Sequence, residues 1–399
     1  MNRRHVAFIQ HGDYAEAIGR MTRGEAETYA AQYYSIQTVA KMVETCDVTV
    51  ISVKGPISDQ MLANGVRAIG LGWKGPRKVI PLILKLEAIG ATDIVLRTPI
   101  AGVLGWCIAR RKRVLPFLAD SFADEPRSTV ISRLKRTALV KCLNSKFIEV
   151  VANHNLPASR DLARIGVMAE KIIPWDWPAS RTPHAYPPKL GLVAPEVISL
   201  FYAGRISEDK GLSDFLNAIA LLRQSGLDVR ASVAGEGDRI AMEKVSQGLK
   251  LDSVVQFLGR IPNSEVFDLM RQHDFVVVPS RPSYPEGLPL TIYEGLCSRS
   301  PLLLSTHPMF CSAFPSKVGV RFFEHENPAD LARVIGELVG DPAQYAALSQ
   351  AGASAWDGIQ ISLHFKEIIE LWMTSSPEAM AELRTHSIAR VSAVAVNAV

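Results

Sequence analysis

The stretch Val276–Leu304, VVVPSRPSYPEGLPLTIYEGLCSRSPLLL, decides how the chain folds. It opens with three consecutive valines, and such an uninterrupted β-branched run predicts a parallel strand that is buried on both faces. Four prolines and one glycine in residues 279–289 end that strand and predict a loop. Pro289 suits the first position of a helix that runs to about Arg299, and residues 302–304 begin a second buried strand.

This order of elements aims the start of a helix at the carboxyl edge of a parallel sheet, where open α/β sheets bind ligands. Free amides at a helix start favour a phosphate group. Glu286 precedes the helix, and Glu294 lies on it about two turns in. Carboxylates beside a phosphate site are expected to accept hydrogen bonds from sugar hydroxyls, as an acidic residue does for ribose in dinucleotide folds. Phosphate and polyol recognition together indicate a nucleotide sugar.

The E-x7-E spacing of Glu286 and Glu294, inside PEGLPLTIYEGL, resembles the signature of the retaining glycosyltransferases of family 4, also described as glycosyl transferases group 1. The resemblance implies an α/β protein with the GT-B fold. Such a protein has two Rossmann-like domains that face each other across a cleft, and a C-terminal helix that crosses back to the first domain.

Length and composition are consistent with two domains. A chain of 399 residues, 48% of them hydrophobic, is too long for one ordinary core. Prolines without helical or strand periodicity predict a linker over 174–195. We therefore expect an N-terminal acceptor-binding domain over 1–173, a nucleotide-sugar-binding domain over 196–356, a crossover helix over 357–374 and a tail over 375–399.

The turn after the strand predicted at 197–203 has the sequence GRISEDKG, and it matches the family's G-R-x4-K-G pattern. The resemblance implies that Arg205 and Lys210, with Gly204 beside them, hold the donor diphosphate. Cleavage of a sugar–phosphate bond leaves negative charge on the diphosphate, which two cations can neutralise. No D-x-D stands beside a strand, so we expect neither a metal nor a cofactor. The alternative is that both cations are ordinary surface charges.

The remaining donor-side predictions come from turns at the same sheet edge. A glycine-acid-glycine turn follows the strand predicted at 229–234, and relatives have a similar turn there. In relatives the backbone of the loop after residue 258 touches the nucleotide base, and the amides before the central helix meet phosphate or sugar. The donor-binding candidates are Gly235, Arg260, Ile261, Gly287, Leu288 and Pro289, together with Glu294 for the ribose.

Acceptor-side candidates lie in the first half. A glycine-bearing loop after the first strand, which starts at His11 and Gly12 and precedes a helix predicted at 25–44, could approach a diphosphate, or it could be a plain turn. Asp120 ends a later strand and is a candidate base or acceptor-orienting carboxylate, or else a helix cap. Asn153 follows the last strand predicted in this half. For His11, a hydrogen-bonded loop residue is the alternative.

Charge is distributed unevenly along the chain. Residues 1–185 contain 26 Lys and Arg against 16 Asp and Glu, whereas residues 186–399 contain 18 against 24. Several of the cations lie on a helix predicted at 128–143, with Ile131, Leu134, Ala138 and Cys142 on one face. Such a helix is either a solvated surface or a contact with an anionic membrane that presents a lipid-linked acceptor. No aromatic residues alternate with these cations, so nucleic acid is not expected.

Cysteine usage and hydropathy favour a cytoplasmic protein, which could lie at the inner membrane face. Five cysteines are scattered and form no C-x-x-C, so neither a zinc site nor a disulfide framework is indicated. The apolar run near the N-terminus is too short for a signal peptide, and no stretch reaches the length of a membrane span.

The resulting interpretation is a retaining glycosyltransferase that moves a sugar from a nucleoside-diphosphate donor to an acceptor hydroxyl. The acceptor would be a glycan, a lipid-linked molecule or a small molecule in polysaccharide or glycoconjugate biosynthesis. Two alternatives remain at this stage. One is a GT-B-type nucleotide-sugar epimerase, and the other is a non-catalytic glycan-binding protein on the same scaffold.

Overall fold

The computed structural model describes residues 3–27, 31–75, 78–119, 121–122, 130–194 and 196–391. The chain forms two compact units. Of the described residues, those up to Pro178 and those from Ile361 to 391 belong to the first unit, and Ala179–Gln360 belong to the second. The first unit is therefore discontinuous in sequence, because the chain leaves it after Pro178 and re-enters it at Ile361.

Strands and helices alternate along most of the first part of the chain. They are β1 (His5–Gln10), α1 (Tyr14–Thr22), α2 (Gln32–Lys41), β2 (Asp47–Ser52), β3 (Ser58–Met61), β4 (Arg67–Gly70), α3 (Val79–Ala88), β5 (Asp93–Leu96), α4 (Ala101–Ala109), β6 (Arg113–Leu118), α5 (Val130–Leu143), β7 (Val151–His154), α6 (Leu156–Arg164) and β8 (Ile172–Trp175). The exceptions to the alternation are that α1 is followed by α2 and that β2, β3 and β4 are consecutive.

The second unit continues the alternation. Its elements are β9 (Ile198–Ala203), α7 (Leu212–Gln224), β10 (Val229–Ala234), α8 (Arg239–Gly248), β11 (Val255–Gly259), α9 (Asn263–Gln272), β12 (Phe275–Val278), α10 (Leu290–Ser298), β13 (Leu302–Ser305), α11 (Pro308–Ala313), β14 (Arg321–Phe323), α12 (Pro328–Gly340) and α13 (Pro342–Ile359).

The chain then returns to the first unit and forms α14 (Phe365–Thr374) and α15 (Pro377–Thr385). The single helix expected over 357–374 is wrong, because the chain is extended at Gln360 and residues 360–364 separate α13 from α14. The apolar side of α14 is buried in the core of the first unit. Its last carbonyls accept hydrogen bonds from Arg4 and Arg113, and both arginines also bind the buried carboxylate of Asp93.

Each unit is built on one mostly parallel sheet. The first sheet has the order β3-β4-β2-β1-β5-β6-β7-β8, in which β3 is antiparallel to β4 and the other pairs are parallel. The second sheet is parallel throughout and has the order β11-β10-β9-β12-β13-β14. Both are consistent with Rossmann-like domains, and the triple valine of β12 is buried at the centre of the second sheet.

Two boundaries near the N-terminus and the linker differ from the expectation. Residues 13–24 were expected to be a loop because of Gly19 and Gly24, but α1 begins at Tyr14. The Asp13 carboxylate accepts hydrogen bonds from the amides of Ala15 and Glu16, and this N-cap starts the helix despite the internal glycine. In addition, the run 172–175 forms β8 at the edge of the first sheet, so the chain leaves the first unit after Pro178.

Candidate active site

The candidate site lies where the strand order of the second sheet reverses. From β9 the chain proceeds outward to β10 and β11, returns to β12 on the other side of β9, and then proceeds to β13 and β14. In open parallel sheets the crevice at such a switch point, at the carboxyl ends of the strands, is the usual ligand site. The loops that follow β9 and β12 both emerge there, and they carry Lys210 and Glu286.

Lys210 ends a short 3-10 turn, Glu208–Lys210, which precedes α7. Gly211 follows it with a φ of 71°, in the left-handed region that favours glycine. A Cβ at this position would lie 2.0 Å from the carbonyl oxygen of Pro279. The glycine therefore lets the Lys210 turn approach the loop after β12 closely.

Lys210 and Glu286 are in direct contact. The Lys210 Nζ atom donates a hydrogen bond to Glu286 Oε2, and the two side chains are only 12% and 9% exposed. The same oxygen accepts a hydrogen bond from Ser280 Oγ at 2.9 Å, and Lys210 Nζ lies 4.4 Å from the centroid of the Tyr284 ring. The structure thus joins the predicted diphosphate cation to the predicted sugar-binding carboxylate across 76 residues of sequence.

Two buried side chains that the sequence did not point to hold the loop that carries Glu286. Ser305 Oγ donates to the Ser280 carbonyl at 2.6 Å. His307 Nε2 lies 3.1 Å from the Tyr284 carbonyl, while its Nδ1 accepts from the Met309 amide. Because Nδ1 accepts from an amide, Nε2 is the ring nitrogen that donates to the Tyr284 carbonyl. Burial lowers the pKa of His307, which favours this uncharged form of the ring. A serine and a histidine after a strand give no signal of this role in the sequence.

The structure does not bring Arg205 into the Lys210–Glu286 contact. Arg205 is exposed, and its carbonyl accepts a hydrogen bond of 2.6 Å from the buried Tyr202 hydroxyl. Gly204 precedes it, and the amide of Gly204 donates to Ala234 at the end of β10. Arg205 is thus anchored through its backbone at the same sheet edge, with its side chain directed to solvent.

The glycine-acid-glycine turn is explained by close backbone approach. Cβ atoms at Gly235 and Gly237 would lie 1.7 Å from the Gly204 carbonyl oxygen and 2.1 Å from the Ile206 carbonyl oxygen. Both glycines have φ values near 140°. The amide of Gly235 donates to the Gly259 carbonyl. Gly235 therefore joins the ends of neighbouring strands, and its amide is already used within the protein.

The helix that carries the second glutamate starts beside β9. Pro289 is the N-cap of α10, so the helix begins at Leu290, one residue later than the sequence indicated. Thr291 Oγ1 donates to the Ala203 carbonyl at 3.2 Å. Glu294 is partly exposed and accepts a hydrogen bond of 2.8 Å from Asn263. Asn263 begins α9, two residues after Ile261 and three after Arg260. The predicted ribose and base segments are therefore neighbours.

The amide-bearing residues Gly287 and Leu288 lie between Glu286 and the start of α10. The Leu288 side chain is buried, whereas Gly287 and Pro289 are partly exposed. Anchoring of Leu288 in the core fixes the backbone of this segment at the sheet edge, where a helix start favours an anion.

In the first unit, the described acceptor-side candidates belong to different strands, with His11 after β1 and Asn153 in β7. His11 is exposed at the carboxyl end of β1, next to Gly12, and its Nε2 lies 3.1 Å from Thr98 Oγ1. Asn153 is buried within β7, and its amide nitrogen donates to Ala158, so this side chain is occupied inside the fold. Asp120 lies outside the described residues.

No group of three or more His, Cys, Asp or Glu side chains in the part of the chain described above is arranged to hold a metal ion. Among the helices of the described ranges, none is both long and apolar enough to span a bilayer.

Residues 190–355, all in the second unit, match the protein family "Glycosyl transferases group 1". A D-inositol 3-phosphate glycosyltransferase of Pseudarthrobacter chlorophenolicus is 27% identical over 222 residues, which is 54% of this chain and 50% of the relative. D-inositol 3-phosphate glycosyltransferase 1 of Catenulispora acidiphila is 31% identical over 175 residues, 41% of each chain. The chain spans about half the length of the curated relatives it matches.

Solved structures resemble nearly the whole chain. Anabaena HepE in complex with UDP has a TM-score of 0.64 at 15% identity, over 93% of this chain and 100% of that one. Sucrose-phosphate synthase of Thermosynechococcus elongatus has a TM-score of 0.64 at 16% identity, over 93% and 98%. At such identities the likeness establishes the fold alone. The chain therefore has the GT-B fold of glycosyltransferases, and its second unit carries the match to the group 1 family.

Proposed function

We propose that this protein is a retaining glycosyltransferase that moves a sugar from a nucleoside-diphosphate sugar to an acceptor hydroxyl. The observation that carries the proposal is the contact between Lys210 and Glu286 at the switch point of the second sheet. It pairs a cation suited to a departing diphosphate with a carboxylate suited to sugar hydroxyls. The family match over residues 190–355 and the UDP named with Anabaena HepE support this choice of donor.

Each polar group has a role in the proposed reaction. Lys210 and Arg205 bind the diphosphate, and the amides of Gly287 and Leu288 meet phosphate or sugar oxygens. Glu286 accepts hydrogen bonds from the donor sugar, and Glu294 accepts them from the ribose. An ammonium group has three donors, so Lys210 can keep its bond to Glu286 while it binds a phosphate oxygen.

The chemistry needs charge stabilisation at the leaving group. The bond between the anomeric carbon and the diphosphate oxygen breaks, and the acceptor oxygen bonds to the same face of the sugar. The acceptor proton passes to the departing phosphate. A cation 4 Å from the developing charge contributes about 4 kcal/mol at an effective dielectric constant near 20, which is a substantial part of a catalysed barrier.

A donor panel tests the proposal. The protein is incubated with UDP-, GDP- and ADP-sugars, with and without candidate glycan, lipid-linked and small-molecule acceptors. Free nucleotide and products are followed by chromatography, and NMR gives the anomeric configuration. We expect slow hydrolysis of one donor and faster transfer with retention when an acceptor is present.

The same panel separates the alternatives. Formation of a 2-epimer without an acceptor would instead identify a nucleotide-sugar epimerase. Tight glycan binding without turnover of any donor would identify a binding protein on this scaffold. An inverted product would contradict the retaining mechanism while leaving the transferase activity intact.

We also propose that α5 contacts an anionic membrane at its cytoplasmic face. Val130, Ile131 and Leu134 are 73%, 64% and 64% exposed, and Arg133 and Lys135 are exposed beside them. These exposed apolar residues do not anchor the helix, because the buried residues of α5 are Leu139 and Leu143. Exposed apolar and cationic side chains together suit anionic lipid, which could present a lipid-linked acceptor.

Vesicle sedimentation tests this membrane contact. We expect binding to vesicles that contain phosphatidylglycerol and weaker binding to pure phosphatidylcholine. Ile131→Ser with Leu134→Ser should reduce it. Ile240→Ser in α8, where the side chain is 70% exposed, is the matched control. Equal binding of wild type and the α5 variant would contradict the proposed contact.

A further inference from the structure

Arg281 joins the two loops of the candidate site, although it belongs to neither the cationic nor the acidic motif. Its side chain is only 17% exposed and makes a bidentate ion pair with Asp214, with Nε–Oδ2 and Nη2–Oδ1 distances of 2.8 Å each. Nη2 also donates to Ser213 Oγ at 3.0 Å. Asp214 is buried in the first turn of α7. Arg281 thus holds the helix that follows Lys210.

A second group of contacts fixes the residues just before Lys210. Arg281 Nη1 lies 2.7 Å from Glu208 Oε1, and the backbone amide of Arg281 donates to the Asp209 carbonyl at 3.0 Å. Glu208 and Asp209 are the first two residues of the 3-10 turn that ends at Lys210. Arg281 therefore contacts both sides of Lys210 in the sequence.

The backbone of Arg281 is connected to the backbone of Glu286 by two successive hydrogen bonds. Its carbonyl accepts a hydrogen bond from the Tyr284 amide at 3.0 Å, and the Tyr284 carbonyl accepts from the Glu286 amide at 2.7 Å. The hydrogen bond between Lys210 and Glu286 connects the same two loops at a second point. The hydrogen bond to Asp214 and the surrounding carboxylates raise the pKa of Arg281 above its usual value, so the side chain stays charged.

We propose that Arg281 is a positioning residue that sets the place of Lys210 relative to Glu286. This inference rests on the proposed function. Lysine has a long flexible side chain, so the position of its ammonium group depends on how firmly its backbone turn is held. Small displacements of catalytic groups are costly, since about 1 Å can cost roughly 100-fold in rate.

The test compares matched variants by donor turnover and by binding of UDP, GDP and ADP measured by calorimetry. We expect Arg281→Met to lower kcat/KM for the donor by about 30-fold or more, through both kcat and KM, and to weaken nucleotide binding. Asp214→Asn should reproduce the effect, and Arg281→Lys should be intermediate because lysine cannot form the bidentate pair. Arg321→Met, which removes a surface ion pair with Glu337 in the same unit, is the control.

Combined variants distinguish positioning of Lys210 from a general effect of Arg281 on the fold. If Arg281 acts through Lys210, Arg281→Met should cost less than about threefold further in nucleotide affinity once Lys210→Ala is present. Kinetic constants are normalised to the folded fraction, measured by near-UV circular dichroism. The positioning role would be overturned if Arg281→Met lowered nucleotide affinity by the same factor in wild type and in Lys210→Ala. It would also be overturned if kcat/KM and nucleotide affinity of Arg281→Met stayed within twofold of wild type. Failure of Arg281→Met, Arg281→Lys and Asp214→Asn all to fold would also overturn it.

If the proposed function is wrong, the binding and turnover measurements give a different pattern. Wild-type protein that neither binds a nucleoside diphosphate nor turns over any donor would refute the glycosyltransferase proposal and, with it, this inference. Wild-type binding and turnover that Arg281→Met leaves unchanged would refute the inference alone.

Discussion

Asp176 and His364 lie opposite each other in a parallel β-bridge, which joins the place where the chain leaves the first unit to the place where it returns. The Asp176 amide donates to the Leu363 carbonyl, and the Asp176 carboxylate accepts from His154 Nε2 at 3.0 Å and from the Trp177 amide at 2.7 Å. The side chains of Asp176 and His154 are only 5% and 10% exposed.

We predict that Asp176→Ala destabilises the protein by about 3 kcal/mol, because it removes the acceptor of a buried His154 donor and of the partly buried Trp177 amide. Urea unfolding followed by tryptophan fluorescence measures the change. Asp357→Ala is the matched control, since the pair of Asp357 with His184 is 51% and 57% exposed and should contribute less than about 1 kcal/mol. Equal losses in the two variants would show that burial of the first pair does not matter.

We predict that Lys210→Ala and Glu286→Ala each lower donor turnover by at least about 100-fold, since the proposed reaction assigns the diphosphate to Lys210 and the donor sugar to Glu286. Each should also cost about 1–3 kcal/mol of stability, because the remaining partner is a nearly buried charge. The double variant should lose less stability than the two single losses added together. Near-normal turnover in either single variant would remove the residue from the proposed site.

We predict that Gly211→Ala lowers both stability and turnover. Its φ of 71° is unfavourable for alanine, and the new Cβ would clash with the Pro279 carbonyl and move the Lys210 turn. Gly226→Ala is the control, because Gly226 has a φ of 91° but open space around it. The control should lose about 1 kcal/mol and keep its turnover. Equal behaviour of the two variants in thermal melts and donor assays would rule out the close approach as the cause.

Lys189 should give the stability of the protein a pH dependence. Burial lowers its pKa from 10.5 to about 8, against the opposing effect of Asp274, and its Nζ donates to the His273 carbonyl. Between pH 8 and 10.5 the unfolded lysine keeps a proton that the folded one has released. Stability therefore rises with pH across this window, by up to about 3 kcal/mol from this group.

Lys189→Met should flatten that rise, measured as the free energy of unfolding in urea at several pH values from 7 to 10.5. Lys244→Met, on the exposed side of α8, should leave the profile unchanged and serves as the control. If the free energy of unfolding changes with pH by the same amount in wild type and in Lys189→Met across this window, the assignment to Lys189 is wrong.

The central stretch could be predicted from sequence because its signals are local. An unbroken valine run, a proline-rich loop and a second apolar run fix β12, α10 and β13 without reference to distant residues. The roles proposed for Lys210 and Glu286 came from a resemblance, and their contact across 76 residues is a tertiary result. The position of Arg281 could not be predicted, because its partner Asp214 is 67 residues away and an arginine in a loop carries no pattern.

The two wrong secondary-structure predictions, at residues 13–24 and 357–374, also have physical causes. Gly19 suggested a loop, but the Asp13 cap and the buried Tyr14 and Ala17 outweigh the roughly 1 kcal/mol cost of one glycine in a helix. The family resemblance implied one continuous crossover helix over 357–374, yet the chain is extended at Gln360 and His364 pairs with Asp176 in a β-bridge. A local cap together with burial decided the first place, and pairing with a distant residue decided the second.

The discontinuity of the first unit has a practical consequence for protein engineering. An expression fragment that stops at residue 178 would lack α14 and α15, whose apolar side chains complete the core of that unit. Chimeras intended to exchange the N-terminal unit between relatives therefore need two separate gene segments to be transplanted together. A swap of the leading segment alone would expose the surface that Trp372 and its neighbours cover.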